Sequence, residues 1–258
     1  MINEGILTTL QNQGIKKGDV LLVSSDITQL ILNLCGGMKN FNKKKASETG
    51  NNIIDTFQEL VGESGTLLFP TYNWGWCKGE TFIYEKTLGK TGALGNYALK
   101  RSDFFRTKHP IYSFAVWGKD KDFLVSLENK DSFGKDSPFE YLFKKKAKNL
   151  FIDTSDFYTF THFVEESVGV SYRFVKSFKS KYVKNNITKE CIYNMYVRDL
   201  NVNFEVNFDL LNLLENKNCL KKFKIFEITC GIIDVYASFP IIKNDILNNS
   251  SKNIIKLL

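Results

Sequence analysis

The sequence predicts an α/β fold, with a central mixed sheet flanked by helices and an α+β C-terminal portion. Three observations carry this prediction. Short buried strands alternate with amphipathic helices in the first half of the chain, and their spacing is that of crossover connections. The last third changes to closely spaced strands. Residues 1–258 show no linker or internal repeat, so we expect a single domain.

The first elements are bounded by glycines and small polar residues. Helical spacing of apolar residues ends at Gly14, and the next apolar run stops at Ser24 and Ser25, which is typical of a buried strand. The second long helix places five apolar residues on one face: Ile53, Ile54, Phe57, Leu60 and Val61. In chain order we predict helix 4–13, strand 18–25, helices 27–34 and about 50–61, and strand 65–70.

Residues 72–91 are rich in glycine and aromatic residues without periodicity, which indicates a long functional loop. Beyond it we predict helix 92–101, strand 112–118, helices 120–128 and 138–146, strand 149–153 and helix 158–168. The last third is predicted to hold strands 188–198, 220–229 and 231–237, with helices near 206–215 and 240–248.

Composition excludes several classes of protein. No stretch of about 18 apolar residues occurs, and the first residues lack a basic region followed by an apolar one, so we expect neither a membrane protein nor a secreted one. Five cysteines without a C-x-x-C spacing argue against a disulfide framework and a zinc site. We therefore expect a cytoplasmic protein without a bound metal.

The net charge of +7 predicts anionic partners. Residues 71–110 hold seven basic residues against three acidic ones, so more than half of the surplus lies in this segment, although a lysine-rich surface would give the same count. Base readout by nucleic-acid-binding proteins relies on arginine, and the chain has only Arg101, Arg106, Arg173 and Arg198. We therefore expect a small anionic ligand rather than nucleic acid.

The sequence has two histidines, and His162 is the stronger catalytic candidate. On the helix predicted at 158–168, Glu165 follows His162 by three residues, so the two side chains lie on the same face. A carboxylate near an imidazole fixes its tautomer and raises its basicity, which is the arrangement of a general base. The alternative is an ordinary surface pair worth a few tenths of a kcal/mol.

Two other polar positions are candidates: His109 lies in a polar loop at a predicted sheet edge, and Asp26 lies at the end of a predicted strand, where open α/β sheets bind ligands. His109, next to Pro110, belongs either to a phosphate-binding loop or to a well-capped turn. Asp26 follows the first strand and is either a carboxylate facing the substrate or the N-cap of helix 27–34. Both interpretations of Asp26 are compatible.

Six separated motifs resemble, in the same order, those of the aminoglycoside 3-N-acetyltransferase family of acetyl-CoA-dependent enzymes. They cover roughly residues 15–175 and are GDVLLVSS (18–25), GTLLFPTY (65–72), TGALG (91–95), RTKHPIYSF (106–114), DSPF (136–139) and T-x-x-H-x-x-E (159–165). The resemblance implies an antibiotic N-acetyltransferase-like fold and acetyl-CoA as the co-substrate.

Details resemble one branch of this family. Ser24-Ser25-Asp26-Ile27 replaces the His-Ser-Ser-Leu-like sequence of antibiotic-modifying members, and the long loop carries Trp74-x-Trp76. These features resemble members that acetylate a nucleotide-linked deoxy-amino sugar, such as a dTDP-3-amino-3,6-dideoxyhexose, for surface polysaccharide synthesis. A basic site would also repel a polycationic aminoglycoside. The chain departs from the family after strand 149–152, where Asp153-Thr154-Ser155-Asp156 replaces glycines.

We assign the following roles by hypothesis from the chemistry of acetyl transfer, and the coenzyme A site from the resemblance. His162 would remove a proton from the attacking amine and Glu165 would orient it, with Thr71 as an oxyanion donor. The coenzyme A site would be formed by Ser24, Ser25, Thr91, Gly92, Arg106, Thr107, His109 and Ser113. The acceptor would contact Asp26, Tyr72, Trp74 and Trp76.

Two other functions remain open at this point: an aminoglycoside 3-N-acetyltransferase, and a non-catalytic module that binds nucleotides or RNA. The sequence also leaves the oligomeric state open, a homodimer included.

Overall fold

The computed structural model describes residues 2–154, 158–207 and 209–258. The helices of this part are α1 Ile2–Asn12, α2 Thr28–Leu34, α3 Lys43–Val61, α4 Leu94–Ala98, α5 Lys121–Ser126, α6 Pro138–Lys144, α7 Thr161–Val168, α8 Asp209–Asn216 and α9 Val235–Asn248. The strands are β1 Val20–Ser25, β2 Thr66–Pro70, β3 Phe82–Ile83, β4 Phe105–Arg106, β5 Phe114–Gly118, β6 Lys148–Ile152, β7 Arg173–Lys184, β8 Ile187–Arg198, β9 Phe204–Val206, β10 Leu220–Ile225, β11 Ile228–Asp234 and β12 Ile255–Leu257.

The main sheet is mixed, which confirms the predicted fold class. Its strand order is β10-β11-β6-β1-β2-β5-β4. At its centre β1 runs parallel to both β6 and β2, whereas β11, β10, β5 and β4 are joined by antiparallel pairings. The carboxyl ends of three neighbouring strands therefore meet at one edge of the sheet, which is where open α/β sheets bind ligands.

The two faces of the sheet are covered by separate hydrophobic clusters. Leu21 and Val23 of β1 belong to the cluster under α1 to α4, and Leu22 between them belongs to the cluster under α6, α7 and α9. This alternation follows from the two-residue period of a strand. Each fully buried aliphatic side chain contributes about 1.5–3 kcal/mol relative to its exposed state. The sheet edge is thus held between two packed layers.

The helix predicted at about 50–61 begins earlier, at Lys43. The side chain of Asn42 accepts a hydrogen bond from the backbone N–H of Lys45 at 2.9 Å and caps the helix. The lysine run 43–45 thus forms the first turn of α3. The apolar face predicted for this helix is confirmed, since all five of its residues are buried.

A second sheet contains the largest difference from the predicted elements. Strands β7 and β8 form a long antiparallel hairpin, and β3 from the loop 72–91 pairs with β7. We predicted only β8. The turn is formed by Asn185 and Asn186, which have φ angles of 52° and 59°. Asparagine tolerates this left-handed region, and paired residues of this kind form tight hairpin turns.

The boundary predicted near residue 237 is wrong, because β11 ends at Asp234 and α9 begins at Val235. The side chain of Asp234 accepts a hydrogen bond from the backbone N–H of Ala237 at 2.9 Å. We expected this helix to begin at Pro240. With the cap at Asp234, it begins five residues earlier, at Val235.

In residues 2–154, 158–207 and 209–258, no helix has both the length and the apolar character needed to cross a bilayer.

Candidate active site

A cavity of about 790 Å³ opens at the edge where β1, β2 and β6 end. This volume is within the range of small-molecule and cofactor sites. Eight of the predicted site residues line it: Ser24, Ser25, Asp26, Tyr72, Trp74, Thr91, Gly92 and His162. Lining residues that the sequence analysis did not select include Thr28, Pro70, Tyr112, Asp153, Thr154 and Thr159. Ser155 and Asp156, noted above as a departure from the family, lie outside the described residues.

The floor of the cavity is built by the ends of β1 and β6. The backbone N–H of Asp26 donates to the carbonyl of Ile152 at 2.9 Å, which continues the parallel pairing past Ser25. Oδ1 of Asp26 accepts a hydrogen bond from the N–H of Thr28, the first residue of α2, at 2.9 Å. The N-cap of α2 is Ile27, so the prediction that Asp26 is the N-cap is wrong by one residue, although its side chain still bonds the first residue of the helix. Asp26 also lines the cavity, and its contact with a substrate stays a prediction.

Glycine allows the loop after residue 88 to pack against β1. Gly92 has a φ angle of +67°, and a Cβ atom there would lie 2.8 Å from the carbonyl oxygen of Ser25. A larger residue would be strained and would collide with the strand. Beside it, Oγ1 of Thr91 accepts a hydrogen bond from the N–H of Tyr72 at 3.2 Å. The loop therefore brings Thr91 and Gly92 next to the end of β1.

Aromatic residues form one wall of the cavity. Tyr72 and Tyr112 pack edge to face, with ring centroids 4.8 Å apart, and Trp74 packs against Tyr112 at 6.3 Å. Burial, together with the neighbouring Tyr112, raises the pKa of Tyr72 well above its usual value, so its phenol is neutral. Trp76 does not line the cavity: its Nε1 donates to the carbonyl of Phe178 at 2.9 Å.

His162 and Glu165 lie on α7 as predicted, in direct contact. Nδ1 of His162 is 2.6 Å from Oε2 of Glu165. The carboxylate accepts the hydrogen from Nδ1, and in the neutral ring the lone pair is then on Nε2. The imidazole lines the cavity, and its ring lies 5.3 Å from that of Phe133. This places a proton acceptor at the wall of the cavity.

The imidazole is neutral near pH 7. Burial lowers the pKa of His162 and outweighs the opposing effect of Glu165, whose hydrogen bond and charge raise it. We expected the carboxylate to increase the basicity of the ring, but burial has the larger effect. For Glu165 burial acts to raise the pKa, but His162, Arg173 and Tyr172 together hold the pKa below its usual value. The pair therefore combines a neutral base with an ionised carboxylate.

Two residues that the sequence analysis did not select complete the surroundings of Glu165. The hydroxyl of Tyr172 donates to Oε1 at 3.0 Å. Nε of Arg173 lies 2.9 Å from Oε2, in an ion pair whose N–H is not aligned for a hydrogen bond. Both residues come from the start of the β7–β8 hairpin, which was not fully predicted. No spacing rule links them to α7.

Four of the predicted residues form a buried network outside the lining. Oγ1 of Thr71 is 2.9 Å from Oγ of Ser113, and Nε of Arg106 donates to Oγ of Ser113 at 3.0 Å. Arg106 also donates to the carbonyl of Thr71, and Oγ1 of Thr107 accepts from the N–H of Phe114. Burial lowers the pKa of Arg106 to about 10, so the guanidinium remains charged. The network fixes the ends of β2 and β5.

His109 is completely buried in a turn. Its Nδ1 accepts hydrogen bonds from the N–H groups of Ile111, at 3.3 Å, and Tyr112, at 3.1 Å. The proton of the neutral ring is therefore on Nε2, 3.3 Å from the carbonyl of Lys130. Burial lowers the pKa of His109 to about 3. These contacts agree with the interpretation of His109 as part of a well-capped turn rather than of a phosphate-binding loop.

The charged side chains that line the cavity, within the described chain, are the acidic residues Asp26 and Asp153. The basic residues of the segment 71–110 do not line it. Arg101 pairs with Asp55 and Asp103, and Lys108 pairs with Glu128. The described lining is therefore not basic, and it gives no reason to expect that a cationic acceptor would be repelled.

The part of the chain that the structure describes has no group of three or more His, Cys, Asp or Glu side chains that could hold a metal ion.

Solved structures similar to this chain include two aminoglycoside acetyltransferases and the YokD protein. The aminoglycoside acetyltransferase AAC(3)-Xa has a TM-score of 0.78 at 14% identity, over 95% of this chain and 92% of that one. AAC-IIIb, solved as a binary complex with CoASH, has a TM-score of 0.77 at 14% identity, over 96% and 97% of the two chains. YokD from Bacillus subtilis has a TM-score of 0.75 at 18% identity, over 96% of this chain and all of that one.

No curated protein sequence matches the chain. The sequence profile of the family described as aminoglycoside 3-N-acetyltransferase matches residues 36–242. This match confirms the resemblance inferred from the six motifs, and it covers most of the chain. The protein therefore belongs to the aminoglycoside 3-N-acetyltransferase family and is an acyltransferase.

Proposed function

We propose that this protein transfers the acetyl group of acetyl-CoA to the amine of an amino sugar, with His162 as the general base. One observation carries the proposal: the imidazole of His162, in contact with a buried carboxylate 2.6 Å away, lines a cavity of about 790 Å³. The complex of one structural neighbour with CoASH supports acetyl-CoA as the donor.

The chemistry requires a proton acceptor but no protein nucleophile. The amine nitrogen attacks the thioester carbonyl carbon while Nε2 of His162 takes a proton from the nitrogen. The tetrahedral intermediate then collapses, the C–S bond breaks, and the imidazolium returns the proton to the departing sulfur of coenzyme A. A positioned base typically contributes a factor of about 10²–10⁴ to the rate.

The other predicted roles also remain proposals. Ser24, Ser25, Thr91 and Gly92 line the cavity and are proposed to contact the donor. Arg106, Thr107, His109 and Ser113 do not line it, so any effect on coenzyme A would pass through the walls that they support. Thr71 has its hydroxyl and its N–H bonded to Ser113, which weakens its proposed role as an oxyanion donor.

For the acceptor we propose a nucleotide-linked amino sugar of the dTDP-3-amino-3,6-dideoxyhexose class, used in surface polysaccharide synthesis. The support is the resemblance of the long loop and the aromatic wall formed by Tyr72, Trp74 and Tyr112, which offers ring faces and edges for a base or a sugar. A positive charge on the amine would be attracted by Asp26.

The acidic lining favours a second candidate, an aminoglycoside. Asp26 and Asp153 lie in the same cavity, and two carboxylates would attract an acceptor that carries several ammonium groups more than one that carries a diphosphate.

The test is to incubate the protein with acetyl-CoA and each acceptor class in turn. Release of the coenzyme A thiol and the mass of the acceptor are measured together, with His162→Ala as the control. We expect the unmodified protein to acetylate a dTDP-amino sugar and the His162→Ala variant not to do so. Turnover of tobramycin-like polyamines without turnover of nucleotide sugars would select the second candidate. Hydrolysis of acetyl-CoA without transfer to any amine would contradict the proposal.

A further inference from the structure

The carboxylate of Glu165 is completely buried, so its ionisation depends on its partners. Oε2 lies 2.6 Å from Nδ1 of His162 and 2.9 Å from Nε of Arg173, and Oε1 accepts a hydrogen bond from Tyr172. Removing a carboxylate from water costs several kcal/mol unless opposite charge and hydrogen bonds compensate it. The identity of the compensating charge therefore decides the protonation of the pair.

Arg173 supplies that charge. A guanidinium does not lose its proton in proteins, whereas His162 is neutral near pH 7. Among the described residues, the other titratable groups around the pair are Glu166 and four phenols. Burial, together with Asp131, raises the pKa of Glu166 to about 7. Burial also raises the pKa values of the phenols, which are Tyr112, Tyr158, Tyr172 and Tyr196. Within the described chain, Arg173 is thus the permanent cation within ion-pair distance of Glu165.

We propose that Arg173 is a positioning residue for acetyl transfer, whose charge keeps Glu165 ionised and His162 in its proton-accepting form. This inference rests on the proposed function of the site. Arg173 does not line the large cavity and acts through Glu165.

The consequence of losing the guanidinium follows from charge balance. A proton would then compensate the carboxylate, either on Glu165 itself or on His162. A protonated His162 cannot accept the proton of the amine, and a protonated Glu165 orients the ring less strongly. Burial is the largest influence on both pKa values, but the charge of Arg173 lowers both of them in addition. Its removal therefore raises the pKa of His162.

The hairpin offers a matched control for this charge. Arg173 begins β7, and its register partner on β8 is Arg198. The guanidinium of Arg198 lies over the ring of Phe204, 3.9 Å from its centroid, and it forms no ion pair with Glu165. Substitution of Arg198 removes the same charge from the same register position, without contact to the carboxylate.

The experiment is an NMR titration of the histidine ring protons, which is tractable because the chain has only His109 and His162. In Arg173→Gln, the pKa of His162 is expected to rise by about one unit, and the acid limb of the kcat profile should move by the same amount. Arg173→Lys, which keeps the charge, and Arg198→Gln are expected to titrate like the unmodified protein. A folded Arg173→Gln variant with an unchanged His162 titration would overturn the inference.

If Arg173→Gln does not fold, a second substitution in the same chain tests the inference. Glu165→Gln in the same chain removes the uncompensated carboxylate and is expected to restore folding. A double variant that remains unfolded would show that Arg173 acts through other contacts and would also overturn the inference. Because the titration needs no substrate, a failure of acetyl transfer in the unmodified protein would count against the proposed function alone.

Discussion

Nδ1 of His162 and Oε2 of Glu165 lie 2.6 Å apart within one turn of α7, and the carboxylate is fully buried whereas the ring reaches the cavity. The carboxylate therefore lies in the interior, and the imidazole that it contacts lies at the wall of the cavity. The proposed acetyl transfer depends on this arrangement.

Glu165→Gln tests the contribution of the carboxylate. The amide oxygen can still accept the Nδ1 hydrogen, but the charge that stabilises the imidazolium in the transition state is lost. We expect kcat to fall by about 100-fold, with little change in the affinity for acetyl-CoA. Glu166→Gln is the matched control, since this partly buried neighbour makes no hydrogen bond to His162 in the described contacts. Equal losses in both variants would remove the specific role of Glu165.

Asp26→Asn tests the acidic lining. Asparagine retains the oxygen that accepts from the N–H of Thr28, so the start of α2 is preserved. Loss of the charge at this exposed position should raise KM for a cationic acceptor by up to about fivefold, since exposed ion pairs contribute about 0.2–1 kcal/mol. The effect should shrink at high salt. Asp122→Asn, on the surface of α5, controls for net charge, and an unchanged KM for Asp26→Asn would exclude contact with the amine.

Arg106→Lys distinguishes a supporting role from direct contact with coenzyme A. The guanidinium bonds Ser113 and the backbone of Thr71 and Thr87, and lysine cannot reproduce this fork. We expect the free energy of unfolding in urea to fall by about 2–4 kcal/mol. A stable variant with a higher KM for acetyl-CoA would instead support the contact that the family resemblance implies.

His109→Asn tests the buried, neutral histidine. The pKa of His109 is about 3 in the folded protein, because of burial, and near 6.5 when unfolded. Only the unfolded state then takes up this proton between pH 6.5 and 3, so stability falls by about 1.4 kcal/mol per pH unit as the pH decreases through this window.

The asparagine oxygen can accept the same backbone N–H groups but does not titrate. The slope of unfolding free energy against pH, measured between pH 6.5 and 4.5, should therefore be smaller in His109→Asn. Equal slopes in the two proteins would contradict the assignment of a neutral His109.

The central sheet could be predicted because its strands are apolar runs bounded by glycines or by polar residues. Strands β1, β2, β5 and β6 were each predicted within a few residues, and the strand ends correctly indicated the edge that holds the cavity. Strand β7 was missed because lysines interrupt its alternation, so that its segment resembles polar surface. The Asn185-Asn186 pair was the available signal for its hairpin turn.

Local spacing predicted the His162–Glu165 contact, because three residues on a helix bring side chains together. Local spacing could not predict the contact of Glu165 with Arg173, because Arg173 lies on β7 of the second sheet and not on α7. Spacing also does not separate residues that line a cavity from those behind its wall. Arg106 and Ser113 are near the site in sequence order and in space, yet their polar groups are bonded to the protein itself.

The most direct test of the account is single-turnover acetyl transfer by His162→Gln, at saturating acetyl-CoA and amino-sugar acceptor, compared with the unmodified protein. Glutamine preserves polarity and approximate size but cannot accept the proton. We predict a rate at least ~100-fold lower, with an unchanged urea midpoint and unchanged acetyl-CoA affinity. A fully folded His162→Gln variant that transfers the acetyl group at the native rate would contradict the account.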